Sequence, residues 1–570
     1  MTIKTILFSG HNQQRLGIST EQVSQALDNI LALFQNDCDS LRVLTGAVDG
    51  VDLLALKAAA ELEIDTHILS PTEECIKQFE SNYPALQKGV SRKACLVKNT
   101  PDDGSMEALK KERNHLAVGY ADIVISFWDG NDGIQGGTFA TLHAALKANI
   151  PVVWVDTSNQ ELKIRVVDSS VFTHQVCYQL EQPVFSSIYI QSLFRDISIE
   201  GLKLSKLGGA SIGLERPSEN DSHSFAGIWF NLFTGILLLN FRKIWKSLNW
   251  ENLTPYADKI DESIEKIIVK PQKVDNAFEV NDMAANHYAN RHRDSVILLY
   301  LLSTFAVFSA VAGEIHLWVT EESHLWGYLE LLFITLIIFI LFIARKQQWH
   351  QKWLEKRFLA EQLRYLRIAM TVLHLPNILY NSTYVKQSGG QLSLNKLNYF
   401  NKQQGLPNKQ DGSIFVASEQ MEIKVNLLKN VLEDQIDYHE KTASDNHKLH
   451  HRLHSLSLFL FVMTVVGVVA HLLVYVEWLL ILTAALPALA AGFHGILTKL
   501  EWSRVSNKSH QTADKLKIIL NNLQELEIQE DNYKSYEQLK HYVKLSTQIM
   551  SEENIQWQML ISSQEAELPA

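Results

Sequence analysis

Four apolar runs, Ser295–Ala312, Tyr328–Ala344, Ser455–Val476 and Trp478–Leu497, each approach the ~20 residues that an α-helix needs to cross a bilayer. Glu330 is the one formal charge among them, and core helices of water-soluble proteins seldom run so far without more. The runs come in two close pairs, which predicts two membrane hairpins. Arg291 and Arg293 precede the first run, Arg345 and Lys346 follow the second, Lys448 and Arg452 precede the third, and Lys499 and Arg504 follow the fourth. All four basic clusters therefore lie on one side, which the positive-inside rule makes the cytoplasm, with both termini there. Trp318, Trp326 and Trp478 fall in the short opposite connections, as an interfacial belt requires.

Each hairpin is followed by a charged stretch carrying an apolar seam: Leu359, Leu363, Leu366, Met370 and Leu373 after the first, Leu516, Ile519, Leu523 and Leu526 after the second. Such seams pack helices, either within the chain or between copies, and their repetition suggests a duplication. Within the runs, Ser303, Thr304, Ser309 and Thr335 are expected to bond back to their own helices, and Pro487, near Gly492, to kink the fourth. Glu330 and His471 lie near the outer ends. His447, His450, His451 and His454 are read as interfacial anchors, with metal binding or pH sensing as the alternatives. Phe225–Phe241 is apolar but holds Asn231, Thr234 and Asn240, and Arg242, Lys243 and Lys246 follow it. It is expected to lie in the interface or against the other helices.

The 570 residues suffice for two or three domains, and a net charge of -11 without a basic stripe argues against nucleic acid as a partner. Cys38, Cys75, Cys95 and Cys177 show neither metal-ligand spacing nor scaffold density, which fits a reducing compartment. "MTIKTILFSG" is expected to be a first strand rather than a signal peptide. There is no GxxxxGK[ST] loop, HExxH helix or GxSxG elbow, so ATP-driven transport, metalloprotease and serine-hydrolase readings are disfavoured. No metal site, catalytic group or resident cofactor is expected.

From the start to about residue 157, strand-length runs alternate with helical stretches: "TILFS", "LRVLT", "DTHIL", "ACLVK", "DIVISF" and "PVVWV", separated by Glu21–Phe34, Val51–Leu62, Met106–Gly119 and Thr138–Ala148. This predicts an α/β Rossmann-like, doubly wound parallel sheet followed by an all-α membrane region of four transmembrane helices in two hairpins. Ligands of such sheets sit beyond the carboxyl ends of the strands. The residues placed there are Gly10 and His11; Thr45, Gly46, Asp49 and Asp52; Pro71; and Trp128, Asp129 and Gly130, with Gly136, Gly137 and Thr138 opening a helix. Glycines admit close backbone approach, helix-start amides attract phosphate, Asp129 or Asp52 can accept from ribose hydroxyls, and Trp128 can stack on a base. The expected divisions are a head at 1–157, a connector at 158–290, a first hairpin with its trailing helix at 291–375 and a middle segment at 376–445. Ser388–Ser413 is read as a flexible loop within that middle segment. The second hairpin module occupies 446–530 and a helical tail 531–570.

"FSGHN", "LTGAVDGVDLLAL" and "ADIVISFWDGNDGIQGGTFATLHAALKANIPVVWV" resemble the SLOG superfamily, which includes the Lonely Guy cytokinin-activating hydrolases and the nucleotide-sensing head of melastatin-type channels. The resemblance covers about the first 155 residues. The paired hairpins with trailing helices resemble SLATT-type modules found beside SLOG sensors in bacterial conflict systems. Together these resemblances imply an effector of a bacterial inner membrane, homo-oligomeric, whose head binds a nucleotide-derived signal and opens or disrupts the bilayer, with antiphage defence as the setting. Lonely Guy hydrolases carry PGGxGTxxE; here "IQGGTFATLH" keeps Gly136-Gly137-Thr138 but places Thr141 where the glutamate would be. A hydroxyl cannot stabilise an oxocarbenium-like charge as a carboxylate does, so detection is favoured over hydrolysis. A membrane-tethered nucleoside or nucleotide N-glycosidase and a constitutive docking protein are the alternatives.

Overall fold

The structure, a computed structural model, describes all residues except 1–2, 98–105, 132–136, 149, 159–161, 169–170, 172–186, 204–226, 242, 245–271, 321–323, 374–404, 407–412, 416–420, 475, 477–478, 527–532 and 563–570. The head is built on strands β1 (Ile3–Gly10), β2 (Ser40–Thr45), β3 (Asp65–Thr72), β4 (Val90–Val97), β5 (Ile123–Trp128) and β6 (Val152–Asp156), all parallel. Their apolar runs are continuous rather than alternating because both faces are covered. Helices α1 (Thr20–Asn36) and α2 (Val51–Glu61) pack with Ile6, Phe8, Val43 and Ile125 on one face. The short α3 (Glu73–Asn82) lies beside α2, its Phe79 packed with Leu53 and Leu56. On the other face α4 (Met106–Tyr120) and α5 (Thr138–Lys147) pack with Leu7, Leu44, Leu69 and Val124. Successive strand residues point to opposite faces, so each strand feeds both cores. Ser19 opens α1 by exchanging hydrogen bonds with Gln22 in a capping box.

The sheet does not stop at residue 157. Two antiparallel strands, β7 (Lys163–Val167) and β8 (Arg195–Ile197), continue it beyond β6, separated by a short helix α6 (Ser187–Ser192). At the opposite edge β9 (Ser413–Phe415) pairs in parallel with β4, giving the order β8-β7-β6-β5-β1-β2-β3-β4-β9. The expected head boundary is therefore corrected: the first part of the connector and a piece of the middle segment belong to the sheet. Of the loop expected at Ser388–Ser413, only Gly405, Leu406 and Ser413 are described, and they lie against the head. Gly405 takes φ +66 over the Arg42 guanidinium, and Arg92 donates to the Leu406 carbonyl.

Within the connector lies α7 (Ile228–Leu238), whose ~16 Å length is too short for a ~30 Å hydrocarbon core. Its amino end is held by Asp294, which accepts from Gly227 N at 2.6 Å and Phe230 N at 2.8 Å, and its carboxyl end by Arg452, which donates to Leu237 O at 2.6 Å. Of the two expectations for this segment, packing against the other helices is the one the structure shows.

The rest of the helical region repeats one layout twice. A long helix, α8 (Gln272–Thr320, 49 residues), turns into α9 (His324–Gln347), then α10 (Trp349–Leu373) doubles back along the first half of α8. In the same way α11 (Met421–Val474, 54 residues) leads to α12 (Leu479–Leu500) and α13 (Trp502–Gln524). Arg357 of α10 reaches Asp282 of α8 at 3.3 Å, and Ser506 of α13 donates to Ala443 O of α11 at 2.8 Å. A last helix, α14 (Tyr533–Ser562), lies across the trailing helices. The seam residues Leu359, Leu363, Leu366, Leu516, Ile519 and Leu523 are all buried within the chain, in a core shared with Leu109 and Leu116 of the head's α4.

α8, α9 and α11 are long and apolar enough to cross a membrane. The span expected at Trp478–Leu497 forms α12 and pairs with both modules: Ser457 donates to Ala490 O at 2.9 Å, and Thr304 to Ala488 O at 3.4 Å. These hydroxyls meet carbonyls just past Pro487, as small polar residues do between apolar helices. Gly492 gives α12 its close approach to α8, since a Cβ there would stand 2.7 Å from Thr304 Oγ1. As expected, Thr304, Ser309 and Thr335 bond to the carbonyls of Tyr300, Phe305 and Leu331 in their own helices. Leu331, Phe339, Phe342, Phe459, Val462 and Leu473 are exposed, a surface far too apolar for water.

Candidate ligand-binding edge of the head

The chain moves outward from β1 through β4, then returns to β5 on the other side of β1. The crevice of a doubly wound sheet opens where strand order reverses, here between the carboxyl ends of β1 and β5. His11 follows β1 and Asp129 follows β5, and the sheet brings them together: His11 Nε2 lies 3.1 Å from Asp129 Oδ1 and 3.3 Å from Asp129 N. A neutral ring accepts from the amide; a protonated ring donates to the carboxylate. Burial lowers the His11 pKa, which Asp129 partly offsets, so the neutral form is favoured. Asp129 is itself held low, since Asn131 N, His11 and Arg15 outweigh its burial. Arg15, in a 3-10 turn after Asn12, completes the group with Nη2 at 3.1 Å from Asp129 Oδ2. Gly130 takes φ +80, and Gln191 of α6 donates to its carbonyl at 2.7 Å.

The ends of β1 and β2 interlock. Gly10 lies beneath Val51 so closely that a Cβ would overlap the valine side chain, and Gly50, at φ +100, backs onto the His11 carbonyl and Asn12. Gly46 is pressed in the same way by the Arg113 guanidinium of α4 and by Asp52. The closeness attributed to these two glycines for a ligand's sake is thus taken up by the protein's own side chains. Asp52 accepts from Gly46 N at 2.9 Å; burial pushes its carboxyl up to about 6, against the pull of Arg113 and the two loop amides, Gly46 and Val48. Arg113 Nε is buried without a hydrogen-bond partner, and burial lowers the pKa of the guanidinium. Thr45 is buried and accepts from Ala47 N at 3.1 Å. Asp49 is exposed beside this pair, its Oδ1 accepting from Gly50 N at 3.0 Å. Pro71 is buried in β3, and the neighbouring Ser70 donates to the Gly46 carbonyl at 3.3 Å.

Trp128 is the clearest departure from expectation. Its ring is fully buried between Phe139 and Trp154, and its Nε1 donates to Asn131 O at 2.7 Å, so it offers no face to a base. A side chain at the last position of a central strand points into a covered face, not along the strand. Gly136 lies outside the described residues. Gly137 and Thr138 do open α5, without a side-chain cap on its first amides. Thr141 is buried, its hydroxyl donating to Gly137 O at 3.4 Å. Arg15, Arg113 and Gln191 have no counterpart in the expected set. Arg15 lies just past the informative "SGHN"; Arg113 and Gln191 come from helices far along the chain, and nothing in their local pattern marks them.

The helical half connects the chain to known proteins. Residues 428–557 match the family described as SMODS and SLOG-associating 2TM effector domain 1. The carboxyl-terminal segment is similar to SLATT domains. The matched stretch begins within α11 and ends within α14, so it takes in the second hairpin, its trailing helix and most of the tail. With three helices of bilayer length and apolarity, it marks the chain as a membrane protein. No curated protein matches the chain.

Proposed function

We propose that the chain is a ligand-gated membrane effector whose head, SLOG-like in its motifs and strand order, senses a nucleotide-derived signal such as a cyclic nucleotide or an ADP-ribose derivative. The carrying observation is a pair of consecutive residues on α4. Arg113 presses on Gly46 and Asp52 at the ligand edge, and Glu112 pairs with Lys540 of α14 at 2.6 Å. A phosphate drawn to Arg113, Arg15 and the open start of α5 would pull α4, and with it the helices that trail the spans. Such a ligand shifts the bundle only by its differential affinity for the two arrangements of α4. The four spans then open a pore or thin the bilayer in a homo-oligomer, with both termini on the cytoplasmic face of a bacterial inner membrane. The setting is that of the conflict systems to which the SLATT likeness points.

The test is dye release from liposomes carrying the full chain, challenged with a panel of cyclic and ADP-ribose nucleotides. Ligand-dependent release that Arg113→Ala abolishes is the expected result; silence across the panel, in protein shown to be inserted, rejects the reading. A membrane-tethered N-glycosidase is the second reading, favoured by one observation: Asp52 has a carboxyl pushed up to about 6 at the ligand edge, where acid chemistry can occur. Free base released from nucleoside monophosphates or NAD, and lost in Asp52→Asn, would establish it.

A further inference from the structure

A cavity of about 480 Å³ lies far from the head's edge, where the two hairpin modules meet at the basic flank of their spans. The start of the first span (Ser295 to Tyr300), the end of the second (Ala344) and the end of α12 (Lys499, Leu500) all line it. It therefore sits at the level of lipid headgroups in a chain oriented by its basic clusters. Among its lining residues six are Lys or Arg and three are Asp or Glu, so the chamber is positive. One of the three acids, Glu361, is already taken: it lies 2.5 Å from Arg357 and 3.4 Å from Arg364.

Arg293 decides what the chamber is for. It is partly buried within α8, just before the apolar run, and among the described residues no carboxylate pairs with it; the adjacent Asp294 is occupied in holding α7. Instead its guanidinium rests over the rings of Phe230 at 5.0 Å and Trp353 at 5.5 Å. Ring faces orient a guanidinium and leave its N–H fork open to an anion. Lys499 and Lys508 of the second module and Lys243 beyond α7 line the same cavity. A guanidinium fork and ammonium groups lining one cavity suit a phosphate, as do basic pockets between spans at the membrane edge.

We propose that this chamber binds a phosphate group, which bridges Arg293 of the first module to Lys499 and Lys508 of the second and fixes the two hairpins against each other. The site is separate from the head's edge, and its source is either an anionic lipid headgroup or a soluble phosphate.

The experiment uses the full chain in phosphatidylcholine nanodiscs. One arm adds inorganic pyrophosphate; the other replaces part of the lipid with phosphatidylglycerol. The readouts are the unfolding midpoint and the emission of the tryptophans that line the chamber, among them Trp353 and Trp502. A response in the first arm alone assigns a soluble phosphate, and one in the second alone a lipid headgroup; a response in both establishes the shared chemistry. Arg293→Gln is expected to weaken the response roughly tenfold, and Arg293→Lys to retain part of it. Lys508→Gln serves the same purpose if Arg293→Gln does not fold. Lys346→Gln, an exposed basic residue outside the chamber, should respond as the natural chain does. No response in either arm, or an equal loss in Lys346→Gln, overturns the proposal. Nucleotides play no part in this test, so its failure is distinct from failure of the sensing reading.

Discussion

Gln348 and Glu501 occupy the same place in two copies of one design. Each sits in the left-handed region, at φ 52 and φ 46, between the second apolar helix of its hairpin and the trailing helix, and each is followed by a tryptophan. The local sequences agree as well: Lys346-Gln347-Gln348-Trp349 against Lys499-Leu500-Glu501-Trp502. Residues matching the SLATT family cover only the second copy. The shared break is a correspondence of geometry between the two modules.

A side chain in that region costs about 1 kcal/mol relative to glycine. Gln348→Gly and Glu501→Gly are therefore both expected to raise the unfolding midpoint of the detergent-solubilised chain, while Gln348→Pro lowers it. Opposite signs at the two glycine replacements would mean that the breaks are not equivalent.

Gly46→Ala places a methyl group against Arg113. Overpacking of this kind destabilises by about 1–3 kcal/mol, and Arg113→Ala in the same chain should recover most of that loss. Denaturant unfolding of the four members of the cycle measures it; independent effects would show that Arg113 does not press on the loop.

Glu112 and Lys540 join the head to the tail across 2.6 Å. As a partly exposed pair they contribute about 1 kcal/mol or less to stability. Their mechanical role is tested by charge: Glu112→Lys alone should uncouple nucleotide addition from dye release, and adding Lys540→Glu should restore it. Unaltered release in Glu112→Lys places the coupling elsewhere.

Burial holds His11 below its ordinary 6.5. As pH falls through 6.5 the unfolded chain takes up a proton that the folded head resists, so this residue's contribution to stability is lost on acidification. Histidine NMR titration should show the pKa rising in Arg15→Ala, which removes a nearby positive charge, and falling in Asp129→Asn, which removes the compensating carboxylate.

Six strands, four head helices and the apolar runs are all legible in the sequence, because continuous apolar stretches bounded by glycine or polar turns leave few other folds open. β7, β8 and β9 are not: the last two have three residues each, too few for a period, and all are placed by neighbours rather than by their own pattern. The glycines at the strand ends are legible as points of close approach, but not what approaches. Val51 over Gly10 and Arg113 over Gly46 are tertiary facts, as is the burial of Trp128 between Phe139 and Trp154. The cavity between the modules is hidden for the same reason, since Arg293, Lys499 and Lys508 come to line one space only once two hairpins have packed.

The edge strand β9 bears on how the protein is made. It is supplied from beyond the first hairpin yet pairs with β4. During synthesis β4 stays an open edge until α8, α9 and α10 have been made and residues 413–415 follow. Closure of the sheet at this edge is thereby tied to synthesis of the whole first helical module.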